Sequence, residues 1–224
     1  MHETARILAY GLLGAASPTV LLATLVVLGS GRGRATGTAF MAAFVLGTSV
    51  AFAVGLFVGN TIPLTHKGGF DVATFLELAA GVALLVIALR FRPPNEPREP
   101  GTTAAAEARL ARFAHIKPAA SFGIGFPLGI GAKRLGITLF AAATVSFGGL
   151  TPAEDAGLGV LYVVVASLTV WVPVLGYLML GSGADDFVAR SRAWIAANDR
   201  KLTFISALVL GVFLLADGLF RGLS

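Results

Sequence analysis

Apolar residues in this chain neither alternate nor recur on one helical face; they run on without interruption. Six stretches are long and nearly charge-free: Ile7–Leu28, Ala35–Val58, Val72–Leu89, Ala119–Val145, Leu158–Leu180 and Leu202–Leu219. About 20 such residues cross a bilayer as a helix, and an open strand in lipid would leave its backbone groups unpaired. The pattern therefore predicts six transmembrane helices. Before Pro18 the segment "LLGAAS" has the look of a signal-peptide cleavage region. The apolar run continues through "TVLLATLVVL", however, and the head "MHETAR" carries one basic residue against one acid. The first stretch thus reads as a retained helix.

Composition agrees. Only 13 % of the 224 residues are charged and 56 % are hydrophobic, with a mean hydropathy of +0.82. Soluble domains carry roughly a quarter charged residues, and a chain this short has too little core to hide the apolar excess. Cysteine is absent, which excludes disulfides, thiol chemistry and thiolate metal sites. The formal net charge of +5 does not point to nucleic acid, because the basic residues lie between apolar runs without interleaved aromatics.

Charge placement sets the orientation. Arg32, Arg34, Arg90, Arg92, Arg98, Arg109, Arg112, Lys117, Arg190, Arg192, Arg200 and Lys201 fall in the loops after spans 1, 3 and 5. Only Arg6, Lys67 and Arg221 fall on the other side. Twelve against three, by the positive-inside rule, places those loops in the cytoplasm and both termini outside the plasma membrane. The chain then divides into residues 1–92 and 119–224, two three-helix halves, joined by a cytoplasmic linker over 93–118. The linker starts Pro-rich and extended. Its second part has the pattern of a short surface helix capped by Thr103, with Leu110 and Phe113 on one face. The segment "GADDFVARSRAWIAANDRK" is similarly basic and amphipathic, the type that lies along anionic headgroups.

The two halves resemble each other. Spans 1 and 4 carry Pro/Gly interruptions, at Pro18 in "GAASPTVLL" and at Pro127 to Gly131 in "GFPLGIGAKR". Spans 2 and 5 carry small hydroxyls at mid-span, Thr48 and Ser49 in one and Ser167 and Thr169 in the other. Spans 3 and 6 align as "GVALLVIALRF" over "GVFLLADGLFR". Three spans per half gives the halves opposite orientations, the inverted-repeat plan of many secondary transporters, in which interrupted helices mark the substrate site. That assigns Ser17, Pro18, Thr19 and Gly131 to cargo binding, with Thr48, Ser49, Ser167, Thr169, Trp171 and Pro173 lining the cavity.

Lys133 and Arg134 are the exceptional residues. Lys133 lies 14 residues inside span 4, about 21 Å at the helical rise, near the midplane. A cation there costs on the order of 2.5–3.5 kcal/mol and must face a protein interior or a cavity. Neighbouring helical positions point in different directions, so one cation is expected in a cavity and the other on an acid or on freed carbonyls. Two acids lie within spans, Glu77 and Asp217, both towards the outer end. They are the candidates for a partner or for a coupling proton. His2, His66 and His115 lie outside the spans without metal-ligand spacing, and no nucleotide loop or nucleophile elbow occurs. Neither a metal, a cofactor nor an enzymatic activity is expected.

Six spans, the "Ser-Pro" break at Ser17-Pro18 and a lysine-containing break at Lys133 resemble the lysine-exporter (LysE) superfamily. Within it the closest likeness is to the glycolipid- and sulfolipid-addressing (GAP/Sap) group. The second-repeat motif of such proteins often reads Asn-Pro-Lys, whereas here Gly131-Ala132-Lys133 is followed by Arg134. The resemblance implies a multi-pass plasma-membrane protein that moves lipid-linked or amphipathic cargo outward. Arg134 suits a phosphate or sulfate, which guanidinium binds in bidentate fashion. The expected function is export of an anionic lipid or glycolipid, probed against a non-transporting scaffold for lipid machinery and against a small-solute exporter. Membrane lipids are the expected partners, nucleic acid is not, and Gly-rich faces such as "GTAFMAAFVLG" can pack helices within one chain or in a homo-oligomer.

Overall fold

The computed structural model describes residues 2–61, 116–180 and 184–223, with positions 82, 85, 86 and 89 besides. Among these residues the chain is helical and has no strand. The helices are α1 (His2–Ala15), α2 (Pro18–Leu28), α3 (Gly33–Thr61), α4 (Pro118–Ile130), α5 (Ala132–Phe147), α6 (Pro152–Ala166), α7 (Leu168–Leu180) and α8 (Ala184–Leu223). Pro18, Pro118 and Pro152 each open a helix, the one helical position where a missing N–H costs nothing. Thr151 and Glu154 close a capping box on α6. Gly149, at φ 63°, makes the left-handed turn that leads into it.

The helical character expected of the chain is present, and the six expected spans are matched in part among the described residues. Among the described residues only α3 is by itself long and apolar enough to cross a membrane, over Gly33–Gly59. Three further crossings exist only if each bent pair is one span: α1–α2 bent by 59°, α4–α5 by 57° and α6–α7 by 63°. Apart from positions 82, 85, 86 and 89, the expected third span, with Glu77, lies outside the described residues. So do the linker from 93 to 115 and its expected surface helix. The sixth falls within α8, and the basic segment expected as a separate surface helix begins the same 40-residue helix. The inverted repeat is not evident in these helices: α3 is unbroken, whereas its expected counterpart is split at Ser167.

The chain divides into two compact units, Met1–Ile62 with Glu99–Ala196, and Pro63–Arg98 with Ala197–Ser224. All side-chain geometry below belongs to the first. There α3 is the central pillar, packed by α2, α4, α5, α6 and α7, while α1 lies on α5 and α6. The closest crossing is α3 on α4, and glycine makes it possible. A Cβ on Gly129 would stand 2.5 Å from the Phe44 carbonyl oxygen, one on Gly125 2.6 Å from that of Phe40, and one on Gly47 2.5 Å from that of Phe126. Small residues spaced by four let two backbones touch where lipid offers no hydrophobic drive. Gly47, the last residue of "GTAFMAAFVLG", is therefore occupied within the chain.

Candidate functional site

Each helix break has a local cause. α1 stops at Ala15 because Pro18 forces the residue before it out of the helical region: Ser17 is extended, at φ −128° and ψ 98°. The second break is at Gly131 and not at Pro127, which stays inside α4 and whose carbonyl receives the Gly131 N–H at 2.8 Å. The third break has neither proline nor glycine. Val170 N–H and Trp171 N–H both turn to the Ser167 carbonyl, at 2.8 and 3.1 Å. Val170 is the donor that would have reached Ala166 four residues back, so the Ala166 carbonyl is left without its helical partner.

Two side chains from other helices fill the gaps. The Thr169 hydroxyl, at the start of α7, donates to the Ala15 carbonyl at the end of α1. Arg134, in the first turn of α5, donates an Nη2 hydrogen to the orphaned Ala166 carbonyl at the end of α6. Both acceptors sit at helix C-termini, where the macrodipole is negative, and a cation there is favoured by roughly 0.3–1 kcal/mol, more when partly buried.

Arg134 is 5 % exposed. Its guanidinium carbon lies 4.5 Å from the centroid of the Phe44 ring, a cation–π distance. Among the described residues no carboxylate pairs with it, and its Nη1 is buried with no hydrogen-bond partner. Beyond it, Tyr162 and Thr138 share a hydroxyl hydrogen bond of 2.8 Å, and the Tyr162 ring stacks on Phe52 at 5.1 Å between centroids. An unsatisfied buried charged donor is expensive and calls for an explanation.

A cavity of about 200 Å³ adjoins it, lined by Leu13, Gly14, Ala16, Ser17, Thr19, Val20, Leu128, Gly131, Arg134 and Ile137. The structure thus brings Ser17, Thr19, Gly131 and Arg134 to one cavity from two helices and two breaks. Pro18 opens α2 beside it without lining it. Lys133 is helical in α5, but its side chain and that of Asp217 lie outside the described residues.

Arg134 unites the two roles expected of separate cations, since it lines the cavity and also holds a freed carbonyl. The other expected lining residues sit elsewhere. Thr48 is buried in the α3–α4 crossing, donating to the Phe44 carbonyl at 3.0 Å and lying 3.5 Å from that of Gly129. Ser49 bonds back to Val45. Trp171 Nε1 spans the third break to the Val164 carbonyl at 2.9 Å, Ser167 is buried with its hydroxyl unpartnered, and Pro173 lies inside α7. Phe44, Ala15 and Ala166 were not readable as site residues: one acts through its ring face, the others through main-chain oxygens.

Thr169 tests the arrangement. Thr169→Val keeps the side-chain volume and removes the donor, while Ala15 retains the Ser17 N–H at 2.7 Å. Interhelical hydrogen bonds in membranes contribute about 0.6 kcal/mol, up to about 1.7. Reversible unfolding in mixed micelles is expected to show a loss of about 1 kcal/mol.

No curated protein and no solved structure matches the chain. A family model does, over residues 7–220, and its description is Sap, sulfolipid-1-addressing protein (SfLAP). That match runs across the apolar spans, the three breaks and Arg134 alike, and the chain belongs to the sulfolipid-1-addressing protein family.

Proposed function

We propose that this membrane protein exports an anionic lipid, glycolipid or comparable amphipath outward across the plasma membrane, with the Arg134 cavity as cargo contact. One observation carries the reading: a guanidinium is buried among broken helices without a carboxylate among the described residues, and one of its nitrogens is unpaired. Ionisable residues within apolar spans face a protein interior or a cavity, pair with backbone carbonyls and mark substrate paths. The family name points to lipid cargo, and the likeness to lysine exporters points to outward transport. Both termini lie outside in this reading, from the distribution of Lys and Arg. Lys133 lies on the same path. Glu77 and Asp217 are the proposed carriers of a coupling proton.

Reconstitution tests it. Purified protein in liposomes, given a headgroup-labelled anionic lipid, is expected to move label between leaflets faster than protein-free liposomes, in proportion to the protein added. Folded protein that moves no lipid overturns export and leaves the scaffold reading. Movement of an amino acid instead of lipid assigns the protein to small solutes.

A further inference from the structure

We infer that the break at Ser167 is a reversible joint: α6 and α7 alternate between the bent form and one continuous helix, and Arg134 is the latch that holds them bent. The part of this joint in transport rests on the export reading, whereas the joint itself stands on backbone geometry. The three breaks are not equally permanent. Pro18 at the first has no N–H with which to rejoin α1. Ser17 and Gly131 lie at ψ 98° and 138°, about 140° and 180° of rotation from a helix. Ser167 lies at φ −94° and ψ 2°, only about 30° and 45° from helical values. No proline or glycine stands in "VVVASLTVW" to keep it there.

Hydrogen bonding accounts for both forms. A continuous helix would bond the N–H groups of Leu168, Thr169 and Val170 to the carbonyls of Val164, Val165 and Ala166. On either side the pattern is already helical, with the Ser167 N–H on Val163 and the Trp171 N–H on Ser167, both at 3.1 Å. In the bent form two side chains replace missing donors: Trp171 Nε1 donates to the Val164 carbonyl and Arg134 Nη2 to that of Ala166. Val170 turns to Ser167, and the N–H groups of Leu168 and Thr169 have no backbone acceptor among the described residues.

Backbone donors left open in an apolar span are costly, so the bent form has its own drive to rejoin. Against that stand the side-chain bonds, including the one from Thr169 to Ala15. The carbonyls of Val164 and Ala166 are satisfied either way, which brings the exchange close to balance, as a two-state element requires. Besides α3, which both touch, the arms rest on different neighbours, α6 on α1 and α5, α7 on α2. Rejoining frees Arg134 at the wall of the cavity that it lines, so cavity and bend change together.

The chain has no cysteine, so pairs of spin labels can be placed on the full protein in liposomes and their separation read by double electron–electron resonance. Ala153→Cys with Met179→Cys, both at exposed positions, spans the joint. At the helical rise and a bend of 63° their backbones stand about 33 Å apart, against about 39 Å in a continuous helix. The unsubstituted joint should show mainly the shorter distance with a minor longer one. Arg134→Met should raise the ratio of long to short by at least about tenfold, the effect of losing a hydrogen bond from a charged group. Thr169→Val should raise it about threefold and carries the test if Arg134→Met fails to fold. Leu168→Pro opens α7 with the residue that already opens α2, α4 and α6. A continuous helix does not accommodate it, so only the shorter distance should remain. A second pair, Ala35→Cys with Phe57→Cys in unbroken α3, should stay at about 33 Å in every variant.

One distance throughout, unmoved by Arg134→Met and Thr169→Val, overturns the joint, and so does a change that the α3 pair shares. A shift confined to the α6–α7 pair, in a protein that moves no lipid, keeps the joint and removes export. Lipid movement by Leu168→Pro at the unsubstituted rate leaves export standing and overturns the part of the joint in it.

Discussion

Gly129→Leu is expected to disrupt the first unit, with most of the protein lost from the monodisperse fraction in size-exclusion chromatography. The obstacle is main chain. The new Cβ would meet the Phe44 carbonyl oxygen at 2.5 Å, the Thr48 nitrogen at 3.1 Å and the Gly47 Cα at 3.3 Å. None of these is the movable end of a side chain, so α3 and α4 must part. Overpacking a tight site costs typically 1–3 kcal/mol, and a leucine forced between two backbones belongs at or above the upper end. Gly123→Ala is the control from the same helix. Nothing lies within 4 Å of its Cβ position, and alanine gains up to about 1 kcal/mol of helix propensity over glycine. Equal stability of Gly129→Leu and wild type would mean that α3 and α4 do not cross at this point.

Arg134→Met is expected to abolish lipid movement in liposomes while leaving most of the protein folded. Two effects on stability oppose each other. Removing the cation orphans the Ala166 carbonyl, at roughly 1–3 kcal/mol. It also removes the desolvation cost of a charge that no carboxylate among the described residues compensates, and an apolar replacement of buried charge is often neutral or better. Transport has no such compensation, because the only charged side chain described at the cavity is gone. Arg134→Lys keeps the charge without the planar fork and should retain a minor part of the activity. Phe44→Leu removes an interaction of about 0.5–2 kcal/mol and should lower activity less than Arg134→Met does. Full transport by Arg134→Met would remove this cavity from the cargo path.

Where proline sits before a helix, the sequence was a sound guide to the breaks. Ser17-Pro18 fixed the first one locally, through the steric demand of the proline ring on its predecessor. The second was placed only to a window, residues 127–131. Pro127 drew attention, yet a proline inside a membrane helix is tolerated when neighbours take up the freed groups, and the glycine four residues on is where the chain turns. The third break could not be anticipated. "VVVASLTVW" contains no breaker, and its only trace was a pair of hydroxyls in an apolar run, noted for their polarity and not for where the helix ends. Arg134 was conspicuous as a buried charge. Its partner was not, because a liberated carbonyl belongs to the backbone and has no letter in the sequence.

The bonds joining the broken helices run from the side chains of Arg134 and Thr169 to the main-chain oxygens of Ala166 and Ala15. Only the donors are encoded. Any small residue at 15 or 166 presents the same oxygen, so a compensating second-site change cannot arise there when a donor is lost. Paired substitutions, the trace by which contacts are recovered from related genes, leave no record of either bond. Selection acts on these joints one codon at a time.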